Sequence, residues 1–164
     1  MKSICVILVL LMIGSGSATI IPLERYVIDT GAYVLFEPSI EHCNSTTPTE
    51  VFGMNITYTE GIRYPDVNPE FYMIISELRE TPNAPEPLVN DPNAIKVDKP
   101  YPGYVVAENG TVYYGAMIDN RTHLFVNTTD ISLAGFLLKN LRIYPKSQEN
   151  ALVANAVANE LKTS

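Results

Sequence analysis

Two histidines and two cysteines are all the imidazole and thiol side chains available to this 164-residue chain. His42 and Cys43 stand next to one another, and His123 lies far downstream. A Cys–His nucleophilic pair needs the imidazole within reach of the sulfur, and chain neighbours seldom meet in that geometry. No nucleophile motif surrounds Cys43 either. Zinc takes three or four N, S or O ligands, and the His42-Cys43 step has none of the usual spacings. Asp91, Asn93 and Asp98 offer oxygens suited to calcium. They lack the alternating acidic order, closed by glycine, that wraps a loop around the ion, so turn formation is expected of them. Neither a glycine-rich phosphate loop nor a Gly-x-Ser-x-Gly elbow occurs. The expectation is a non-enzyme with no catalytic residue, no metal and no cofactor.

The chemistry that the sequence does point to is covalent modification. Asn44, Asn55, Asn109, Asn120 and Asn127 each begin an Asn-x-Thr sequon without proline in the middle. Composition alone predicts about two sequons of the Asn-x-Ser/Thr type, so five is an excess that suits a glycoprotein of the secretory route. An export signal agrees. Lys2, the apolar run Ile4–Ile13 and the small residues up to Ala18 have the three-part form of a signal peptide, with cleavage expected after Ala18. The apolar run is too short to span a membrane. Loss of Lys2 would change the formal charge of −7 to −8, which disfavours nucleic acid and anionic membranes as partners. Cys5 leaves with the leader, so Cys43 stands alone in the mature chain. It is expected to be buried or paired between chains, with burial and a monomer preferred.

The elements that position these residues centre on a β-meander. Gly103–Glu108 and Thr111–Ile118 flank Asn109-Gly110, a pair that tolerates the positive φ angles of a type I′ hairpin turn. Asp119-Asn120-Arg121 then leads to a third run, His123–Asn127. Alternation puts Val105, Ala107, Val112, Tyr114, Ala116 and Ile118 on a core face and Tyr104, Val106, Glu108, Thr111, Tyr113 and Met117 on the other. A three-residue second loop adds Leu124 and Val126 to the core and leaves His123, Phe125 and Asn127 opposite; a two-residue loop would reverse them. The three-residue form is preferred because it turns the Asn127 sequon outward. Tyr104, Val106, Tyr113, Met117 and Phe125 would then make an apolar patch that a second layer should cover or a partner should use.

Elsewhere the pattern predicts strands at Leu23–Ile28 and Ala32–Phe36 around an Asp29-Thr30-Gly31 turn, and a loop at Pro38–Glu50. The alternating run Phe52–Thr59 reads as a half-buried strand with Asn55, Thr57 and Thr59 outward. Phe71–Glu80 reads as a helix capped by Asn68 or as a buried strand, with the helix preferred. Residues 82–102 carry six of the twelve prolines and form a loop, with a short strand at Ile95–Val97. Ile131–Ile143 is a helix or two strands, and residues 148–162 a C-terminal helix capped by Ser147.

The fold expected is mainly β: after the leader 1–18, a single domain 19–164 with a sandwich-like antiparallel sheet and minor helical elements, including the C-terminal helix. The expected function is that of a secreted, extracellular, N-glycosylated binding protein for another protein or a small ligand. The alternative is a structural glycoprotein of a coat or matrix. A partner should avoid the glycans, and the long sequon-free stretch between Asn55 and Asn109 brings forward Tyr64, Tyr101, Tyr104 and, on the same meander, Tyr113 as contacts.

Overall fold

A computed structural model of the chain describes residues 20–31, 40–51, 54–64, 71–79, 88 and 90–163. The expected leader, the expected strand 32–36 and most of residues 80–89 lie outside the described residues. The architecture is mainly β, with antiparallel sheets and a C-terminal helix, as the sequence implies. The chain divides into two compact units, one formed by its two ends and one by Ser39–Lys139.

In the unit formed by the ends, β1 (Ile20–Pro22), β2 (Tyr26–Asp29) and β11 (Arg142–Pro145) make a three-stranded sheet in the order β1-β2-β11. The central strand is buried on both sides, Val27 and Ile28 having no exposure. A turn at 23–25, closed by the Leu23 N–H donating to the Tyr26 carbonyl at 2.9 Å, replaces the first half of the strand expected at Leu23–Ile28, which begins only at Tyr26 and pairs with a further strand before the turn. Gly31, at φ +70°, donates its N–H to Asp29 Oδ1 at 2.8 Å, so the turn read at Asp29-Thr30-Gly31 exists. The C-terminal helix α2 (Glu149–Thr163) follows a short 3₁₀ turn, Lys146–Gln148. Ser147 lies inside that turn and is not the cap. Glu149 in the first helical turn and Lys162 in the last suit the helix dipole.

The other unit is an antiparallel sheet of eight strands. Its order is β3 (Glu41–Ser45), β5 (Met54–Tyr64), β6 (Phe71–Leu78), β10 (Thr122–Thr128), β9 (Thr111–Met117), β8 (Gly103–Glu108) and β7 (Ile95–Val97), with β4 (Thr49–Val51) also paired to β5. The meander has the expected register, Glu108 opposite Thr111 and Tyr104 opposite Gly115, and Asn109 and Gly110 have φ of 51° and 80°. The second loop has three residues: His123 pairs with Met117, and the Ile118 N–H donates to the Thr122 carbonyl at 2.8 Å. Leu124, Val126, Tyr114 and Ala116 are therefore buried together, whereas Val105, Val112 and Ile118 of the expected core face are half-buried and Ala107, near the hairpin end, is exposed.

Two readings are corrected. Phe71–Leu78 is a strand, not a helix, and it is the central strand that joins the meander to β5. Phe71, Met73 and Ile75 bury one side of it while Tyr72 and Ile74 half-bury the other, so apolar residues on both faces mimic a helical stripe. The expected loop at Pro38–Glu50 holds two strands, β3 and most of β4; every residue of β3 is exposed, as suits a polar edge strand. The open choice after the meander resolves as helix α1 (Ile131–Asn140) followed by β11. Asp130 caps α1, its Oδ1 accepting from the Ser132 N–H at 2.8 Å.

Candidate functional site

Cross-strand register fixes which side chains share each face of the eight-stranded sheet, because directly opposed residues point the same way. One face is a closed core. Ile62, Met73, Val126 and Tyr114 form one row across it, and Ile75, Leu124 and Ala116 the next, all exposed by 3% or less. Glu60 lies in this core at 1% exposure and accepts a 2.7 Å hydrogen bond from the Tyr58 hydroxyl. Sequence reasoning missed that pair. Its signal is the Tyr58-Thr59-Glu60-Gly61-Ile62 alternation, which puts a carboxylate in register with two buried apolar positions.

A β-bulge sorts the rest of β5. Ile56 pairs with Leu78 but Tyr58 with Glu77, and the successive residues Glu77 and Leu78 point to opposite faces. Ile56 and Tyr58 therefore do so too, although the sequence alternates evenly through them. Met54, Ile56 and Leu78 make a separate apolar cluster against Met117, on the side away from the main core.

That second side is a tyrosine face. One row runs Glu41, Arg63, Tyr72, Asn127, Tyr113, Val106, and the next Cys43, Gly61, Ile74, Phe125, Gly115, Tyr104. Tyr72, Ile74, Tyr104, Tyr113, Phe125 and Asn127 are all half-buried, and the Tyr113 and Phe125 rings lie 6.3 Å apart at 37°. Gly61 and Gly115 stand in the second row and lower the surface there. The layer expected over this face is thus only partly realised: Val106 is buried, while the aromatic residues keep contact with solvent.

Two polar atoms on this side are buried without a hydrogen-bond partner among the described residues, His123 Nε2 and Asn127 Oδ1. His123 stands between Ser76 and Met117 across the strands and is 6% exposed. Burial lowers its pKa from 6.5 to about 4, so the imidazole is neutral at physiological pH.

The residues weighed for chemistry do not converge. His42 and Cys43 are strand neighbours and point to opposite faces, which separates the imidazole from the thiol. Cys43 is exposed, contrary to the burial expected, because β3 is an edge with no strand beyond it among the described residues. Desolvation nonetheless raises its thiol pKa, Arg63 pulling the other way and Glu60 adding to the rise. Arg63 itself is paired with Glu41 at 2.9 Å in the open. Asp91 forms a turn, its Oδ1 accepting from the Asn93 N–H at 2.8 Å. Among the described residues no group of three or more His, Cys, Asp or Glu side chains could hold a metal ion, and no helix is long and apolar enough to cross a membrane.

The remaining tyrosines divide. The side chain of Tyr64 lies outside the described residues. Tyr101 is held through its backbone: the Tyr114 hydroxyl donates to its carbonyl at 2.6 Å and accepts from its N–H at 3.0 Å. Burial pushes the Tyr114 hydroxyl up to about 12, which keeps it protonated for both bonds. This lock holds Tyr101, in the connection between β7 and β8, against the meander. Ile95 on β7 is 68% exposed.

The four sequon residues Asn44, Asn55, Asn109 and Asn120 are exposed, and the fifth, Asn127, is half-buried on the tyrosine face. A shallow cavity of about 280 Å³ beside β4 and β5 is lined in part by Asn55 itself. No family model, curated protein or solved structure matches the chain.

Proposed function

We propose that this chain is a secreted, N-glycosylated, non-enzymatic protein that binds an extracellular protein along the β7 edge of its large sheet. The observation that carries the reading is Ile95. A β-branched apolar side chain stands 68% exposed on a three-residue edge strand, in the longest stretch between two sequons. Among the described residues β7 has a strand on one side only, so its other side presents backbone donors and acceptors to which a partner's strand can add. Tyr104, opposite Lys96 on β8, and Tyr101, held by Tyr114, supply amphipathic surface next to that edge. Export and glycosylation rest on the leader-like N-terminus and the five sequons.

The test is capture from the native extracellular fluid by immobilised wild-type protein and by Ile95→Asp and Tyr101→Ala variants. One binding partner retained by wild type and lost by Ile95→Asp, with an unchanged melting temperature, is the expected result. Equal retention by wild type and Ile95→Asp would reject the edge as the binding surface.

A further inference from the structure

We infer that the N-glycan on Asn127 is a structural part of this protein, lying across the tyrosine face and covering Tyr72, Tyr113 and Phe125. The inference rests on the proposed export and adds to it a fixed place for one glycan. Asn127 differs from the other four sequon residues in its surroundings. They sit on an edge strand, beside a bulge or in turns, and are exposed; Asn127 sits on a central strand with β9 on one side and β6 on the other. Tyr113 and Tyr72 are its two cross-strand neighbours, and Phe125 precedes it on the same face. Cross-strand neighbours have Cβ atoms about 5 Å apart and same-face neighbours along a strand stand about 7 Å apart, so the three aromatics surround the attachment point within reach of the first sugars of a glycan leaving Asn127.

The amide geometry fits this placement. Asn127 Oδ1 is fully buried, so the residual exposure of the residue belongs to its other atoms. A side-chain amide is planar, and turning its oxygen into the protein turns Nδ2 away from it. The attachment itself is a group transfer without redox change. Asn127 Nδ2 attacks the anomeric carbon of a polyprenyl-diphosphate-linked oligosaccharide; the C1–O bond to the diphosphate breaks as the N–C1 bond forms, and one amide proton is given up. The donor meets the chain before it folds, and the glycan then cannot be buried, so an occupied Asn127 obliges the tyrosine face to remain an outer surface. An amphipathic sugar ring gives the half-buried tyrosines the cover that a second protein layer does not fully supply.

Thr129 provides the clean perturbation, because it is exposed and completes the sequon while Asn127 itself stays in place. Protein from a eukaryotic secretory host is digested with a glycan-releasing amidase in heavy-oxygen water, and each sequon is read by mass. Wild type and the Thr129→Ala and Thr57→Ala variants, which lose the Asn127 and Asn55 sites, are then nitrated at tyrosine. Asn127 is expected to be occupied, and Thr129→Ala to raise nitration of Tyr72 and Tyr113 several-fold, with Thr57→Ala unchanged and the buried Tyr58 and Tyr114 silent in all three. Should Thr129→Ala fail to fold, the comparison is made on folded wild type before and after amidase release. Occupancy elsewhere with Asn127 empty overturns the inference alone, as does unchanged nitration when its glycan is lost. A chain carrying no glycan at any site overturns the inference together with the proposed function.

Discussion

Acid should weaken this protein through His123, and by an amount that the structure sets. The imidazole is 6% exposed, its Nε2 has no partner among the described residues, and neither cross-strand neighbour, Ser76 or Met117, carries charge. Burial lowers its pKa from 6.5 to about 4. The unfolded chain therefore takes up a proton at a pH where the folded chain still refuses it. Stability from this residue is complete above the unfolded value and is lost as pH falls from about 6.5 to about 4. At about 1.36 kcal/mol per pKa unit the full span is worth about 3 kcal/mol, of which about 2.5 kcal/mol is gone by a pH of about 4.5. Carboxylates titrate over the lower part of this range, so the quantity to read is the difference between wild type and His123→Leu. Urea unfolding at several pH values supplies it. Near neutrality the two should lie within about 1 kcal/mol, since leucine removes an unpaired polar atom but alters the packing. At a pH of about 4.5 the variant should be ahead by about 2.5 kcal/mol relative to that baseline. A difference that stays flat from neutral to acid would refute the account of a neutral, desolvated His123.

Three further outcomes follow from particular contacts. Tyr58→Phe removes the 2.7 Å hydrogen bond to the buried Glu60 and should lower unfolding free energy by about 1–3 kcal/mol in denaturant titration, whereas Tyr113→Phe on the half-exposed face should cost under about 0.5 kcal/mol. Gly61→Ala drives a Cβ into the backbone oxygen of Met73, so β5 and β6 must separate; a melting temperature unchanged by this substitution would contradict the register given for that pair. Cys43 is exposed with a raised pKa, so the native thiol should alkylate slowly near neutral pH and faster as pH rises toward 9; a thiol that reacts only after unfolding would restore the buried reading.

How far the sequence reveals this fold depends on whether the deciding interactions are local. The meander is legible because Asn109-Gly110 demands positive φ and fixes its own register, after which alternation assigns Tyr104 and Tyr113 to one face and Tyr114 to the other. Local pattern alone therefore places Tyr104 and Tyr113, with Tyr101 close by in the chain. Residues 71–78 escaped because a central strand flanked on both sides carries apolar residues on both faces, and Asn68-Pro69 imitates a helix start. Glu41–Ser45 escaped for the opposite reason: an edge strand owes its place to backbone pairing with β5 and needs no apolar side chain. The bulge at 56–58 leaves no trace in the alternation, since only the partner strand reveals which face each residue serves. The position of Asn127 between Tyr72 and Tyr113 depends on β6 lying next to β10, a pairing across some fifty residues that no local pattern encodes.

The central claim is that this chain is an exported glycoprotein, and intact mass tests it most directly. The full-length sequence is expressed in a eukaryotic secretory host, and the protein recovered from the medium is weighed before and after enzymatic removal of N-glycans. The account predicts a chain that begins at Thr19 and loses the mass of several glycans on treatment. A protein retained in the cell with its first eighteen residues attached, or one released with a mass that the enzyme leaves unchanged, would contradict it.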